Sequence, residues 1–166
     1  MTLRQRALEL FDSLEPVGID FMIGRWRGEG YPTGHSEDGL LEAFQWYGKE
    51  FESSEDVHPL LFSNRCGEIV RINPAVMALG GQQSGPVSRI TVRIFQLIMP
   101  MLSTSKSRAR LRMTEHRGKI SATMIYDQLP INDVFRKLDD NAVMGVMDNK
   151  IVKDPFFFKL RRDNRI

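Results

Sequence analysis

The chain has 166 residues and 19.1 kDa, with 42% hydrophobic and 27% charged side chains. That balance suits one globular domain and excludes a disordered tail, a collagen-like repeat and a coiled coil. The net charge of +2 conceals an asymmetry: residues 1–83 carry 13 acidic and 7 basic side chains, residues 84–166 carry 8 and 16.

Thr2 and Gln5 form a capping-box pattern. Leu3, Ala7, Leu8, Leu10, Phe11 and Leu14 follow at helical spacing, and Pro16 and Gly18 end the helix. Glu9, Asp12 and Glu15 fall where a signal peptide needs its apolar region, and the lone Cys66 permits no internal disulfide; both point to the cytoplasm. Alternation predicts a strand from Asp20 to Gly28, with Met22, Gly24, Trp26 and Gly28 on one face. Gly30, Pro32 and Gly34 mark a loop, and Ser36 caps a short helix over Glu37 to Gln45. Trp46–Phe51 and Leu60–Ile72 read as strands, the second containing a hairpin turn at Asn64–Gly67. Asn73-Pro74 opens a short helical segment, and residues 80–86 read as a loop.

The stretch from Ile90 to Leu102 is strongly apolar but too short for a bilayer span of about 20 residues. Pro100 disfavours a continuous helix or central strand there, leaving core, a lid or a membrane contact as the alternatives. Four strand segments then run over Lys106–His116, Lys119–Gln128, Val134–Asp148 (with a turn near Asp139) and Phe156–Arg162. Treating Arg117-Gly118 as a two-residue loop sets Met113 opposite Ala122, Leu111 opposite Met124 and Arg112 opposite Thr123. Five short strands joined by tight turns close most economically as a barrel. The expected fold is mainly β: one antiparallel lipocalin-like barrel over 1–166, with an N-terminal helix and short loop helices. Residues 1–85 and 86–166 form its two halves.

The motif Gly24-Arg25-Trp26-Arg27-Gly28 resembles the signature of lipocalin-like (calycin) barrels. The resemblance implies that Trp26 plugs one end and that a late arginine, here Arg162, packs across it. The run from Gly24 to Thr33 also resembles nitrobindin, which implies haem held by a histidine late in the chain; no histidine follows His116.

A wider set comprises Gly24–Gly28, Trp46-Tyr47-Gly48-Lys49, Asp56–Leu60, Arg110–Met113 and Met124–Arg136. It resembles the family named for its Gly-x-Trp-x-Gly motif, together with that family's C-terminal domain of unknown function. Members of that family often carry histidine where this chain has Val134.

The candidate ligand-binding residues are Trp46, Lys49, His58, Arg112, Tyr126, Asp127, Asp133 and Arg136. Asp127 and Asp133 flank a Pro-Ile turn that a carboxylate–guanidinium pair with Arg136 is expected to fix, or else Arg136 binds an anionic head group while the carboxylates orient it, as in fatty-acid-binding barrels. No histidine pair has metal-ligand spacing, so no metal site is expected.

The expected function is binding of a hydrophobic or amphipathic small molecule, such as a phospholipid or fatty acid, with no cofactor. The alternatives are haem binding and an isomerase-type enzyme using His58, Tyr126 and Asp127, with binding favoured over catalysis. Lys106, Arg108, Arg110 and Arg112 must mostly face water or an anionic partner, so segment 90–119 is a candidate for transient membrane contact. Without interleaved aromatics for base stacking, that basic ladder gives no reason to expect a specific nucleic-acid partner.

Overall fold

The capping box forms: the Gln5 amide donates to Thr2 Oγ1 at 3.2 Å and the Thr2 amide donates to Gln5 Oε1 at 2.7 Å. It starts α1 (Leu3–Ser13), which buries Ala7 and Phe11 against Val134, Met144, Val146 and Phe157. The computed structural model describes residues 1–79 and 87–164. The boundary expected at 85/86 and the loop expected at 80–86 lie outside the described residues.

After a two-residue strand, β1 (Glu15–Pro16), the chain departs from the strand expected at Asp20. One helical turn, α2 (Ile19–Met22), comes first, and the strand β2 runs over Gly24–Gly30. The turn buries Met22 and brings Phe21 and Ile23 against the core, where an extended chain would have carried them past the end of the sheet. The helix expected over Glu37–Gln45 shrinks to α3 (Leu40–Ala43). The Asp38 carboxylate accepts from the amides of Thr33, Gly34 and His35, which holds the preceding residues in a turn.

The next strands are β3 (Trp46–Phe51), β4 (Val57–Ser63) and β5 (Ile69–Arg71), followed by α4 (Ala75–Leu79). The Ile90–Leu102 stretch is helical after all: α5 spans Arg89–Leu102 with Pro100 inside it. Pro100 lies in the last turn and withholds an amide from the Gln96 carbonyl, but only two helical residues follow it, while Ser88 Oγ accepts from the Thr91 amide and caps the start. Five strands complete the chain: β6 (Ala109–His116), β7 (Lys119–Tyr126), β8 (Ile131–Asp139), β9 (Ala142–Asn149) and β10 (Phe156–Arg162).

Ten antiparallel strands pair among the described residues, and eight of them close a ring in the order β8-β7-β6-β4-β3-β2-β10-β9 and back to β8. β1 adds to β8, and β5 adds to β4. The β6–β7 hairpin has the expected register: Leu111 faces Met124, Met113 faces Ala122, and Arg112 faces Thr123. Arg117 and Gly118 both take positive φ, 50° and 76°, as a two-residue turn of this hand requires.

The ring is uneven. β2 and β10 share five registered pairs from Trp26↔Arg162 to Gly30↔Phe158, whereas β4 and β6 share only Val57↔Ala109. Beyond that pair β4 turns to β5, and the Thr104 amide donates to Arg71 O, so the region of α5 adjoins the open part of this seam.

Two glycines set the wall shape. Gly48 has φ 147°, and a Cβ there would collide with the Trp26 carbonyl. A Cβ on Gly28 would stand 2.2 Å from the Trp46 ring, so glycine is what lets that indole lie across β2.

Candidate functional site

Strand alternation divides the candidate residues between two faces of the ring. Register fixes the inward set: Trp26 faces Lys49, Gly24 faces Phe51, Phe51 faces Val57, and Met124 faces Asp133. Lys49, Tyr126 and Asp133 are thereby brought together inside the barrel, and the irregular pairing of β3 between Trp46 and Glu50 lets Trp46 join them despite its odd offset from Lys49.

The Lys49 ammonium donates to Asp133 Oδ2 at 2.9 Å, to the Pro59 carbonyl at 3.1 Å and to Tyr126 Oη at 3.5 Å. It also lies 5.2–5.7 Å from the ring centroids of Phe158, Trp46 and Tyr126. Only 4% of the Lys49 side chain and 2% of the Asp133 side chain is exposed.

Burial pushes the Asp133 carboxyl above its ordinary range, against the pull of Lys49. Burial likewise pushes the Tyr126 phenol well up, and the Asp133 charge adds to that effect. Two polar atoms within this apolar surround have no hydrogen-bond partner among the described residues: Asp133 Oδ1 and Trp46 Nε1. Such atoms carry the full desolvation penalty, about 1–3 kcal/mol each. They offer one acceptor and one donor inside the same ring.

The two ends of the barrel are closed differently. At one end Trp26 Nε1 donates to Met22 O at 2.8 Å, and Arg162 Cζ lies 4.3 Å over the indole. The same guanidinium donates to Ile23 O at 2.9 Å and Phe21 O at 2.6 Å. At the other end Phe95 of α5 packs edge-on against Phe44 and Phe62, with ring centroids 5.1 and 5.2 Å away. Met99 and Leu102 join the interior cluster from the same helix. Within the ring, Trp46–Phe158 and Phe51–Phe135 pack edge to face.

The remaining candidates lie elsewhere. His58 faces Glu50 across the β3–β4 pair, on the outer wall. There Arg25 and Arg71 both hydrogen-bond Glu50, and His58 Nε2 lies 3.6 Å from Glu52. Burial raises the Glu50 carboxyl, but the two arginines outweigh it and hold the group below its ordinary value. Burial and then Arg71 depress His58, in spite of Glu52 and Glu50.

Arg112 is also outside, paired with Glu55 at 2.7 Å, and Asp127 is exposed. Arg136 is buried beneath α1, where it donates to His116 O at 2.8 Å and lies 5.0 Å from the Phe11 ring centroid. The expected carboxylate–guanidinium pair does not form, since Arg136 meets neither Asp127 nor Asp133. Three strand residues apart, Asp133 and Arg136 point to opposite faces, and Asp133 pairs with Lys49 instead. His58, Tyr126 and Asp127, the trio of the enzyme alternative, are likewise not brought together.

An open surface concavity of about 860 Å³ runs beside Arg27, Tyr31, Leu138 and Arg161. It includes none of Trp46, Lys49, Tyr126 and Asp133. The Lys49–Asp133 pairing had no local signal in the sequence, since the partners are contributed by strands on different sides of the ring. The parity of Lys49 with Phe51 was the available hint.

Comparison with known proteins divides the chain in two. Residues 9–67 match the family model described as GXWXG protein, and residues 107–162 match the model described as a domain of unknown function (DUF4334). The crystal structure of a protein from Thermomonospora curvata is similar over 97% of this chain and 88% of that chain, with 35% identity and a TM-score of 0.71. None of the curated proteins compared matches.

Proposed function

The chain belongs to the GXWXG family and carries that family's C-terminal domain of unknown function, and from this premise we propose that its barrel binds a small apolar or amphipathic lipid-like molecule. The buried Lys49–Asp133 pair inside an aromatic-lined ring supports this most, because it leaves Asp133 Oδ1 and Trp46 Nε1 for a ligand to satisfy. The pair is neutral overall, and the ammonium already meets three acceptors. An uncharged hydroxyl or carbonyl at the end of an apolar body therefore suits it best, ahead of a fatty acid or phospholipid head group.

A ligand carboxylate would compete with Asp133 for Lys49 and would bind together with a proton, given the raised pKa of Asp133. Apolar ligand surface would replace the edge-to-face contacts of Trp46, Phe51, Phe135 and Phe158, which fill the interior without it. Access runs past Phe95, where side-chain packing rather than hydrogen bonding closes the ring. The exposed free thiol of Cys66 fits a reducing cytoplasm as the place of action.

Solvent extraction of the purified protein followed by mass spectrometry, with titration of a matched long-chain alcohol, ketone and fatty acid, tests the proposal. The expected result is stoichiometric binding with the neutral ligands tighter, and about tenfold weaker alcohol binding in Asp133→Asn, whose amide changes what the site accepts. An empty extract with no uptake of any of the three probes overturns it.

A further inference from the structure

The outward face of α5 is the largest run of exposed apolar side chains on one described helix. Ile90, Ile94, Leu97 and Met101 recur at intervals of four, three and four residues, so they form one stripe, with Ile98 beside it. Ile90 is 68% exposed, Leu97 66% and Met101 86%, while Phe95, Met99 and Leu102 on the opposite side dock into the barrel. The helix is thus apolar on two faces and only one of them is buried by the fold.

Charge decides what the other face meets. From Ile69 to Thr114 the sequence contains no aspartate or glutamate and seven basic residues. Of these, Arg71 and Arg112 are held by Glu50, Glu52 and Glu55. Arg89, Arg93, Lys106, Arg108 and Arg110 form no ion pair among the described residues. Arg89 and Arg93 sit one turn apart and flank the stripe along one side, and both are exposed.

We propose that α5 docks on an anionic lipid surface, with Ile90, Ile94, Leu97 and Met101 in the acyl boundary and Arg89 and Arg93 among the head groups. A second copy of the chain is a poorer match. Packing α5 on α5 about a two-fold axis would bring the arginine rows together when the helices run antiparallel and leave them without a carboxylate when they run parallel, since 69–114 contains no acidic residue. Residues 80–86, Gly-Gly-Gln-Gln-Ser-Gly-Pro, offer no large apolar side chain to cover the stripe.

At about 1.5 Å per residue the 14 residues of α5 reach about 21 Å, and no described helix is long and apolar enough to cross a membrane. The geometry is that of a helix lying in the interface plane. The inference is independent of what the barrel holds.

Sedimentation with vesicles of phosphatidylcholine alone, and of phosphatidylcholine with 30% phosphatidylglycerol, tests it on the full chain at low and high salt. Binding is expected to the anionic vesicles only and to fall at least about tenfold at high salt. Ile94→Ser with Leu97→Ser should abolish binding, and Arg89→Glu with Arg93→Glu should weaken it by about tenfold or more. Both pairs are exposed, and an unchanged melting temperature verifies folding. In the single variant Leu97→Trp, added indole emission should shift to the blue on anionic vesicles. Absence of binding to anionic vesicles overturns the proposal. So does a dimer in solution that the Ile94→Ser, Leu97→Ser variant dissolves, since the stripe would then be an interface between copies.

Discussion

The two ends of the barrel do the same task with different chemistry. The Trp26 end is held by directed bonds: the indole N–H meets a helix carbonyl, and Arg162 spans two more carbonyls while lying over the ring. The α5 end is held by packing of Phe95, Met99 and Leu102, beside a seam where β4 and β6 share one registered pair. Hydrogen bonds from a half-buried guanidinium such as that of Arg162 are directional and are lost together, whereas apolar contacts can slide and re-form. One end is therefore a fixed floor, and the other is where a side chain or helix can move without opening the ring.

The strongest way to break this contrast is Trp26→Ala. It removes a fully buried indole, and chemical denaturation should show about 3–5 kcal/mol lost. Arg162→Lys keeps the charge but surrenders the two-carbonyl fork and should cost about 1–3 kcal/mol by the same measurement. Phe95→Ala, at a half-buried position, should cost about 1–2 kcal/mol. Its larger signature would be hydrogen exchange, faster in α5 and unchanged in β2 and β10. Equal acceleration at both ends would refute the difference.

Acid should sharpen the same contrast with the smallest effect. His58 lies on the outer wall, where burial and then Arg71 depress its pKa, outweighing Glu52 and Glu50. His116 is depressed by burial, then by Arg117 and Arg136, with Asp148 and Asp12 acting the other way. Both belong to strand segments towards the Trp26 end. A histidine with a lowered folded pKa contributes stability that is full above the unfolded value near 6.5 and is lost as pH falls through the folded value. The melting temperature should therefore fall as the pH drops below about 6.5, and His58→Gln with His116→Gln should flatten that fall. Asp133, raised in the fold, works in the opposite direction at lower pH.

Much of this architecture was written locally. The capping box of α1, the β6–β7 register and the meander from β6 to β10 follow from adjacent residues, and the resemblance of Gly24–Gly28 to the lipocalin-like signature marked Trp26 and Arg162 as a pair. Three features were not. α2 spans four residues, too few for a helical period to stand out from an alternating one. α5 survives Pro100 because only two helical residues follow it and Phe95, Met99 and Leu102 pack the helix onto the barrel. The Lys49–Asp133 pair depends on ring closure, which juxtaposes the side chains of β3 and β8 although the two strands are not paired with each other. Arg136 was misjudged for a simpler reason: an odd offset from Asp133 along a strand reverses the face.

The β2–β10 seam also has a consequence for synthesis. Trp26 is made 136 residues before its partner Arg162. At about 5–20 residues per second, β2 waits roughly seven to thirty seconds on the ribosome with one edge unpaired. Such an edge recruits other strands. Its glycines at 24, 28 and 30 are weak strand formers, and Arg25, Arg27 and Glu29 charge its outer face. The motif that makes room for Trp46 in the finished barrel thus also keeps the unfinished one from pairing with its neighbours.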